Sequence, residues 1–207
     1  MTAERTIWDF WAGRYEGLWA QHFSLRPSRE LVHARLDEVG IREDARVLDL
    51  GCGVGQFLSE LADRRPGVEL VGVDTSSEMI DRAEADYARD NASYSVGTWS
   101  DVERGNGFDV ITCMHAFPYV PDKPAALARC LELLREGGRL LIVQANTESW
   151  YDTAFLLFVK LTTTSATYHS AAGLHALMAE AGLEPGVVRG LDNPWFIPSI
   201  QVVEGPR

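Results

Sequence analysis

The stretch VLDLGCGVGQF, residues 47–57, leads from a run rich in apolar residues into three glycines spaced two apart. The residues before the glycines have the pattern of a buried strand, and QFLSELADRR (56–65) has apolar residues at helical spacing. Gly51, Gly53 and Gly55 therefore fall in the turn between a strand and a helix. In an open α/β sheet such a turn lies at the ligand-binding edge. We expect these glycines to permit a tight turn and to let backbone N–H groups approach a ligand closely.

Strand and helix patterns alternate along the rest of the chain. Thr75 and Glu78 fit a capping box at the start of the second helix, and Asp122 can cap a later one. This alternation predicts an α/β fold with a mainly parallel sheet. The expected strands cover residues 45–51, 69–74, 93–98, 108–114, 139–145, 187–191 and 200–205, and the expected helices cover residues 56–65, 75–90, 122–135, 150–161 and 170–181.

Composition and charge exclude several classes of protein. The length of 207 residues suits one domain, and the net charge of -11 argues against a nucleic-acid or anionic-membrane partner. Cys52, Cys113 and Cys130 form no CxxC pair and no metal-ligand spacing, so neither a metal site nor a disulfide framework is expected. The N-terminus lacks the apolar segment of a signal peptide, and no apolar run is long enough to span a membrane. These features predict a soluble, cytoplasmic protein.

Two carboxylates near the glycine turn indicate what it binds. Asp74 ends the second expected strand, where an acidic residue is the expected acceptor for two ribose hydroxyls. The dinucleotide fingerprint GxGxxG is not met, because Gln56 and Leu58 stand where its third glycine is required. Asp49, two residues before the first glycine, suits a cationic ligand better than an anionic pyrophosphate. The residues therefore favour a ribose-containing ligand that carries positive charge.

Four segments together resemble the class I S-adenosylmethionine-dependent methyltransferases. The first motif of that family, D/E-x-G-x-G-x-G, is matched at Asp49, Gly51, Gly53 and Gly55. The resemblance implies a Rossmann-like, doubly wound, seven-stranded and mostly parallel sheet with the last strand antiparallel, accompanied here by an N-terminal helical segment. It implies S-adenosyl-L-methionine as the cofactor and S-adenosyl-L-homocysteine as its product. The segments are VLDLGCGVGQF (47–57), VGVDTSSEMI (71–80), FDVITCMHAFPYVPD (108–122) and LREGGRLLI (134–142).

The resemblance also implies roles for single residues around the cofactor. The glycine loop packs against the methionine part, and Asp49 serves the amino group. Asp74 holds the ribose, with Thr75 and Met79 flanking the ribose and the adenine. Met79 has a second reading as plain helix core. Tyr15 lies over the carboxylate end of the cofactor, or is one more core aromatic.

The adenine end departs from the pattern of the family. Thr98 stands where an acidic residue often accepts the adenine amine, and Trp99 follows it. The adenine contact stays open between the backbone of Trp99, the ring of Trp99, and Asp101 on a shifted loop.

Met114 and His115 end the fourth expected strand, and the resemblance places them near the sulfonium. His115 is the candidate general base, because an imidazole can take a proton from a hydroxyl or an amine as that group attacks the methyl. The alternative is a histidine that is hydrogen-bonded at the pocket wall and has a structural role.

The chain divides into three parts of a single domain, 1–207. Residues 1–40 are a helical lid or cap, residues 41–146 the cofactor-binding core, and residues 147–207 a C-terminal part with a substrate-side helix and closing strands. The outer parts carry the aromatic residues that are candidates for lining an apolar acceptor pocket, namely Trp11, Trp19, Trp150, Phe155 and Trp195.

The sequence thus predicts an enzyme that transfers a methyl group to an O, N or C atom of a small, aromatic or apolar molecule. A homodimer stays open. One alternative is a cofactor-binding enzyme of the same fold that catalyses a reaction other than methyl transfer. A nicotinamide-dependent dehydrogenase is a second alternative, which Gln56 in place of glycine disfavours.

Overall fold

Strands and helices alternate through the part of the chain that the computed structural model describes, which comprises residues 24–145, 147, 166–191 and 200–207. The strands are β1 (Arg46–Leu50), β2 (Glu69–Asp74), β3 (Ala92–Val96), β4 (Phe108–Met114), β5 (Leu134–Ala145), β6 (Val188–Leu191) and β7 (Ile200–Pro206). The helices are α1 (Arg26–Val39), α2 (Gln56–Arg64), α3 (Ser77–Asp86), α4 (Lys123–Leu133) and α5 (Ala171–Glu180), with a 3₁₀ turn at Phe117–Tyr119. The helix expected over residues 150–161 lies outside the described residues.

The strands form one seven-stranded sheet in the order β3-β2-β1-β4-β5-β7-β6. Strand β1 pairs in parallel with β2 and β4, and the pairs β2–β3 and β4–β5 are also parallel. Strand β7 runs antiparallel to both β5 and β6. The strand order reverses between β1 and β4, which is the switch point where ligands bind in open α/β sheets. The predicted Rossmann-like sheet with an antiparallel last strand is confirmed.

Helices bury both faces of the sheet. On one face, Val32 and Leu36 of α1 and Leu61 of α2 pack on the strands. On the other face, Leu127 of α4 and Leu174 of α5 do the same. Strands covered on both faces, such as β1 and β4, read as near-continuous apolar runs, which explains why short apolar segments predicted them. Strand β5 differs, because it begins at Leu134 and not at residue 139 as expected. Residues 26–39 therefore form a helix that packs on the sheet.

Side-chain caps set the starts of α3 and α4. Asp122 accepts a hydrogen bond from the backbone N of Ala125 at 3.0 Å and caps α4, as expected. The predicted capping box of Thr75 and Glu78 is wrong, because Ser76 is the N-cap of α3 and accepts from the backbone N of Met79 at 3.2 Å. Ser76 has an extended backbone, with φ -90° and ψ 118°, so the helix begins one residue later than the box requires.

Candidate active site

The glycine turn joins β1 to α2 through backbone conformations in the left-handed region. Gly51, Gly53 and Gly55 have φ angles of 73°, 55° and 81°, which glycine adopts at little cost. A Cβ atom on Gly51 would lie 2.3 Å from the Cβ of Ala116, and one on Gly55 would lie 2.8 Å from the hydroxyl of Tyr94. The packing of the chain on itself therefore already requires two of the three glycines.

The N–H groups of these glycines are used inside the chain. Gly51 and Gly55 donate to backbone carbonyl oxygens at 2.7 and 3.1 Å, and Gly53 donates to the carboxylate of Asp74 at 2.9 Å. We expected these N–H groups to approach a ligand, and the structure gives them partners on β2 and in the turn instead. What the turn offers a ligand is a closely approachable backbone without side chains.

Asp74 ends β2 with both carboxylate oxygens anchored. Its Oδ2 accepts from the backbone N of Gly53 and its Oδ1 from the backbone N of Ser76, each at 2.9 Å. These bonds fix the plane of a half-buried carboxylate beside the glycine turn. Because each oxygen has a second lone pair, the anchored group can still accept hydrogen bonds from a diol.

Asp49, in β1, is the buried carboxyl group of the site. Its side chain is 1 % exposed, and Thr112 donates a hydrogen bond to its Oδ1 at 2.7 Å. Burial raises the pKa of Asp49 to about 7, because removal from water disfavours the charged form. The bond from Thr112 lowers this pKa and the charge of Asp74 raises it, both to a smaller extent. A cation beside Asp49 would favour the ionised form, so the group suits an ammonium ligand.

A cavity opens at the carboxyl ends of β1 and β4. Four predicted site residues line it, namely Asp49, Gly51, Met114 and His115. Its other lining residues are Leu25, Arg29, Cys52, Val54, Gln56 and Phe57. The sheet edge and the start of α1 therefore enclose this cavity together.

Arg29 is a lining residue that the sequence patterns did not single out. It lies on α1 with a side chain only 12 % exposed, and its Nε donates to Oε1 of Glu60 at 3.0 Å. Arg29, paired with Glu60, thus lines the same cavity as the carboxyl group of Asp49. The available signal was an arginine near the apolar face of an amphipathic helix, but such a position alone does not indicate what the guanidinium meets.

His115 stands directly after β4 in a strained backbone conformation. Its φ of 56° lies in the left-handed region, which side chains other than asparagine, aspartate and histidine rarely adopt. Its backbone N donates to the carbonyl of Val143 at 2.7 Å, and its ring Nε2 lies 2.8 Å from Oγ of Ser28. Burial lowers the pKa of His115 to about 4, so the ring is neutral at pH 7. Strain retained at a cavity wall is typical of a functional position.

The residues predicted on the adenine side lie apart from this cavity lining. Thr75 is exposed, whereas Met79 is 2 % exposed and packs with Val54. Met79 is thus helix core in this structure, beneath a residue that lines the cavity.

The loop after β3 is organised by Asp101. The backbone N and the hydroxyl of Thr98 both donate to Oδ2 of Asp101 at 2.8 Å, and the backbone bond holds the pKa of Asp101 below its usual value. The ring of Trp99 is partly buried against the core. Tyr15 and the predicted aromatic pocket residues Trp11, Trp19, Trp150, Phe155 and Trp195 lie outside the described residues.

A family model described as a methyltransferase domain matches residues 18–186. This chain belongs to the class I S-adenosylmethionine-dependent methyltransferases. The methyltransferase is 32 % identical over 189 residues to the ubiquinone biosynthesis O-methyltransferase of Xanthomonas axonopodis pv. citri, an alignment that covers 83 % of this chain and 75 % of the relative. The prediction of an enzyme that uses S-adenosylmethionine as methyl donor is confirmed, and neither alternative drawn from the sequence is supported by this relative.

Solved structures share the fold of the methyltransferase at lower identity. A Haloferax volcanii methyltransferase, solved in complex with the Trm112 methyltransferase activator, has a TM-score of 0.78 at 23 % identity, with 96 % of each chain covered. The magnesium protoporphyrin IX methyltransferase of Synechocystis PCC 6803, solved with S-adenosylhomocysteine bound, has a TM-score of 0.70 at 20 % identity and covers 87 % of this chain and 82 % of its own. Within the described ranges, no helix is both long and apolar enough to cross a membrane.

Proposed function

We propose that this methyltransferase transfers a methyl group to a hydroxyl oxygen of a small, aromatic or apolar molecule, and that His115 accepts the proton of that hydroxyl. The observation that carries the proposal is the position of the His115 imidazole, which lies on the cavity wall directly after β4. The Xanthomonas relative is named as an O-methyltransferase of ubiquinone biosynthesis, which supports oxygen as the receiving atom and a small molecule as the acceptor.

The residues present fit S-adenosylmethionine. Its amino-acid end carries an ammonium and a carboxylate, and the cavity is lined by a group suited to each, the carboxyl of Asp49 and the guanidinium of Arg29. Gly51 lines the cavity as well, so the glycine turn forms part of the same cavity wall. Asp74, with its carboxylate anchored at the end of β2, supports a contact to the ribose hydroxyls.

The adenine end belongs to the same proposal. Thr75, Thr98 and Trp99 are assigned to the ribose and adenine side, with Tyr15 at the carboxylate end of the cofactor, while Met79 keeps its place in the helix core. The carboxylate of Asp101 already accepts two bonds from Thr98. Both bonds fall on Oδ2, so Oδ1 can still accept, and the adenine contact stays open between Trp99 and Asp101.

The mechanism requires little covalent chemistry from the residues of the chain. Bound S-adenosylmethionine supplies a methyl group that is already activated on a sulfonium, so alignment and exclusion of water are the main tasks of the protein. His115 takes the hydroxyl proton on its neutral ring as the oxygen attacks. Arg29 and Asp49 hold their charged partners in place and so fix the direction from which the acceptor must approach.

Replacing His115 tests this role. Asparagine tolerates the left-handed backbone at this position, so His115→Asn removes the imidazole without adding backbone strain. We expect kcat for O-methylation of catechol to fall by about 100-fold or more, with the affinity for S-adenosylmethionine unchanged. Product formation is followed by mass spectrometry, with aniline as the matched amine acceptor. Full O-methylation by the variant, or methylation of aniline alone, would contradict the proposal.

Four further statements stay predictions of the sequence. The net charge of -11 supports the absence of a nucleic-acid partner. The three cysteines are free and buried, which suits the reducing cytoplasm. A homodimer is compatible with the fold. The predicted division ends the N-terminal part at residue 40 and the cofactor-binding core at residue 146. Arg29 supports it, because this residue of the N-terminal part contributes to the cavity wall.

A further inference from the structure

Ser28 and His115 meet across the site, although 87 residues separate them in the chain. Ser28 lies in the first turn of α1 and is completely buried, and its Oγ is 2.8 Å from Nε2 of His115. The same Oγ is 2.7 Å from the backbone carbonyl oxygen of Ser24. The serine hydroxyl therefore has two partners of different chemistry.

The carbonyl of Ser24 determines the direction of both hydrogen bonds. A carbonyl oxygen only accepts, so the single hydroxyl hydrogen of Ser28 points to Ser24. The lone pairs of Oγ then face the imidazole, and Nε2 of His115 must carry the hydrogen that Ser28 accepts. In a neutral imidazole the other nitrogen, Nδ1, then carries no hydrogen and has a lone pair that can accept one.

The backbone holds the ring in this position. The N–H of His115 is bonded to the carbonyl of Val143 on β5, and the φ of 56° turns the residue away from the direction of β4. In the described part of the chain, Ser28 is the ring's one hydrogen-bond partner. Nδ1 is thus free to meet a ligand on a residue that lines the cavity.

We propose that Ser28 is the positioning residue of this active site, which fixes His115 as the Nε2–H tautomer so that Nδ1 is the atom that receives the acceptor's proton. This inference rests on the proposed function for the identity of the proton donor. Without Ser28 both tautomers become accessible, and in one of them Nδ1 already carries a hydrogen and cannot act as a base.

The proton balance is simple. The hydroxyl proton of the acceptor passes to Nδ1 as the oxygen forms its new bond to the methyl carbon, and the electron pair of the methyl–sulfur bond leaves with sulfur. His115 is then an imidazolium with hydrogen on both nitrogens, and Oγ of Ser28 continues to accept from Nε2–H. Deprotonation of Nδ1 by solvent restores the starting tautomer.

The tautomer can be measured without turnover. In protein labelled with ¹⁵N-histidine, two-bond ¹H–¹⁵N correlations distinguish an Nε2–H ring from an Nδ1–H ring, and His115→Asn assigns the signal of His115. We expect the wild type to show the Nε2–H pattern alone, Ser28→Ala to lose this single pattern, and Ser28→Thr to restore it. His33, whose Nε2 faces Oε2 of Glu60 at 3.2 Å, is an internal reference that should not change.

Measurements of activity then distinguish the role of Ser28 from the proposed role of His115 as the base. We expect kcat for catechol to fall in Ser28→Ala, by less than in His115→Asn, and to recover in Ser28→Thr. An Nδ1–H ring in the wild type, or an unchanged tautomer in Ser28→Ala, would overturn the inference about Ser28. If the tautomer behaves as expected and His115→Asn retains full O-methylation, the proposed base fails while the role of Ser28 in setting the tautomer stands.

Discussion

At the scale of single residues, the requirement for glycine at position 51 comes from a neighbour rather than from the ligand. Gly51 has φ 73°, and a Cβ there would lie 2.3 Å from the Cβ of Ala116. Gly137 has nearly the same φ, 74°, but a Cβ there would meet no atom within 4 Å. A side chain at either position would therefore carry the same conformational cost, but only at position 51 would it also clash with a neighbouring atom.

Substituting both glycines separates these effects. Gly137→Ala should destabilise the fold by about 1–2 kcal/mol, the cost of a side chain in the left-handed region. Gly51→Ala should destabilise it clearly more, since the clashing atom is fixed to the backbone of residue 116. The double variant Gly51→Ala with Ala116→Gly should return to the level of Gly137→Ala. Urea unfolding measures all three, and equal losses for the two single variants would contradict the explanation.

At the scale of elements, the docking of α1 decides the geometry of the site, because α1 supplies both Ser28 and Arg29. Besides its apolar contacts, the helix is held by Arg35, whose Nε donates to Oε2 of Glu204 on β7 at 2.8 Å. Glu204 is 1 % exposed and also pairs with Arg139 of β5. A buried carboxylate thus ties α1 to two adjacent strands.

Neutralising Glu204 tests this tie. Glu204→Gln leaves two arginines without their buried counter-charge, so we expect a loss of about 3–5 kcal/mol in the free energy of unfolding. The control is Glu38→Gln, which removes another carboxylate bonded to Arg35 but at an exposed position, and should change stability little. Thermal unfolding with and without S-adenosylmethionine reports both stability and cofactor affinity. Similar stability of the two variants would contradict this role of Glu204.

At the scale of the whole molecule, the site makes the stability of the protein depend on pH in two opposing ways. The folded-state pKa of Asp49, about 7, lies above the ordinary value of 3.8, so the folded protein retains a proton that the unfolded chain has released. The contribution of Asp49 to stability therefore falls as pH rises from 3.8 to about 7. The folded-state pKa of His115, about 4, lies below 6.5, so its contribution rises with pH over its own window.

Asp49→Asn isolates the first contribution. Asparagine keeps an oxygen that can accept from Thr112 but has no proton to lose. Relative to the wild type, we expect the free energy of unfolding of the variant to rise as pH increases from about 4 to about 7. Urea unfolding across this range, without cofactor, measures the difference. A difference independent of pH would show that Asp49 is ionised in the free protein.

Much of the fold was readable because its signals are local. The expected strand at residues 108–114 coincides with β4, and Asp122 caps the helix that it was expected to cap. The capping box at Thr75 was misread because two adjacent hydroxyl residues both suit an N-cap, and the backbone at Ser76 chooses between them. In the site, Asp49 and Asp74 could be placed because each has a set position on a strand next to the glycine turn.

The sequence by itself determined the α/β alternation, the glycine turn between β1 and α2, and the carboxylates of Asp49 and Asp74 beside it. These features depend on spacing within short segments, where strand and helix geometry fix what lies together. Only the tertiary structure decided that Ser28 bonds to His115 and that Arg29 faces the same cavity as Asp49. The physical reason is that the place of α1 on the sheet is set by burial of side chains far apart in the chain, which local spacing does not record.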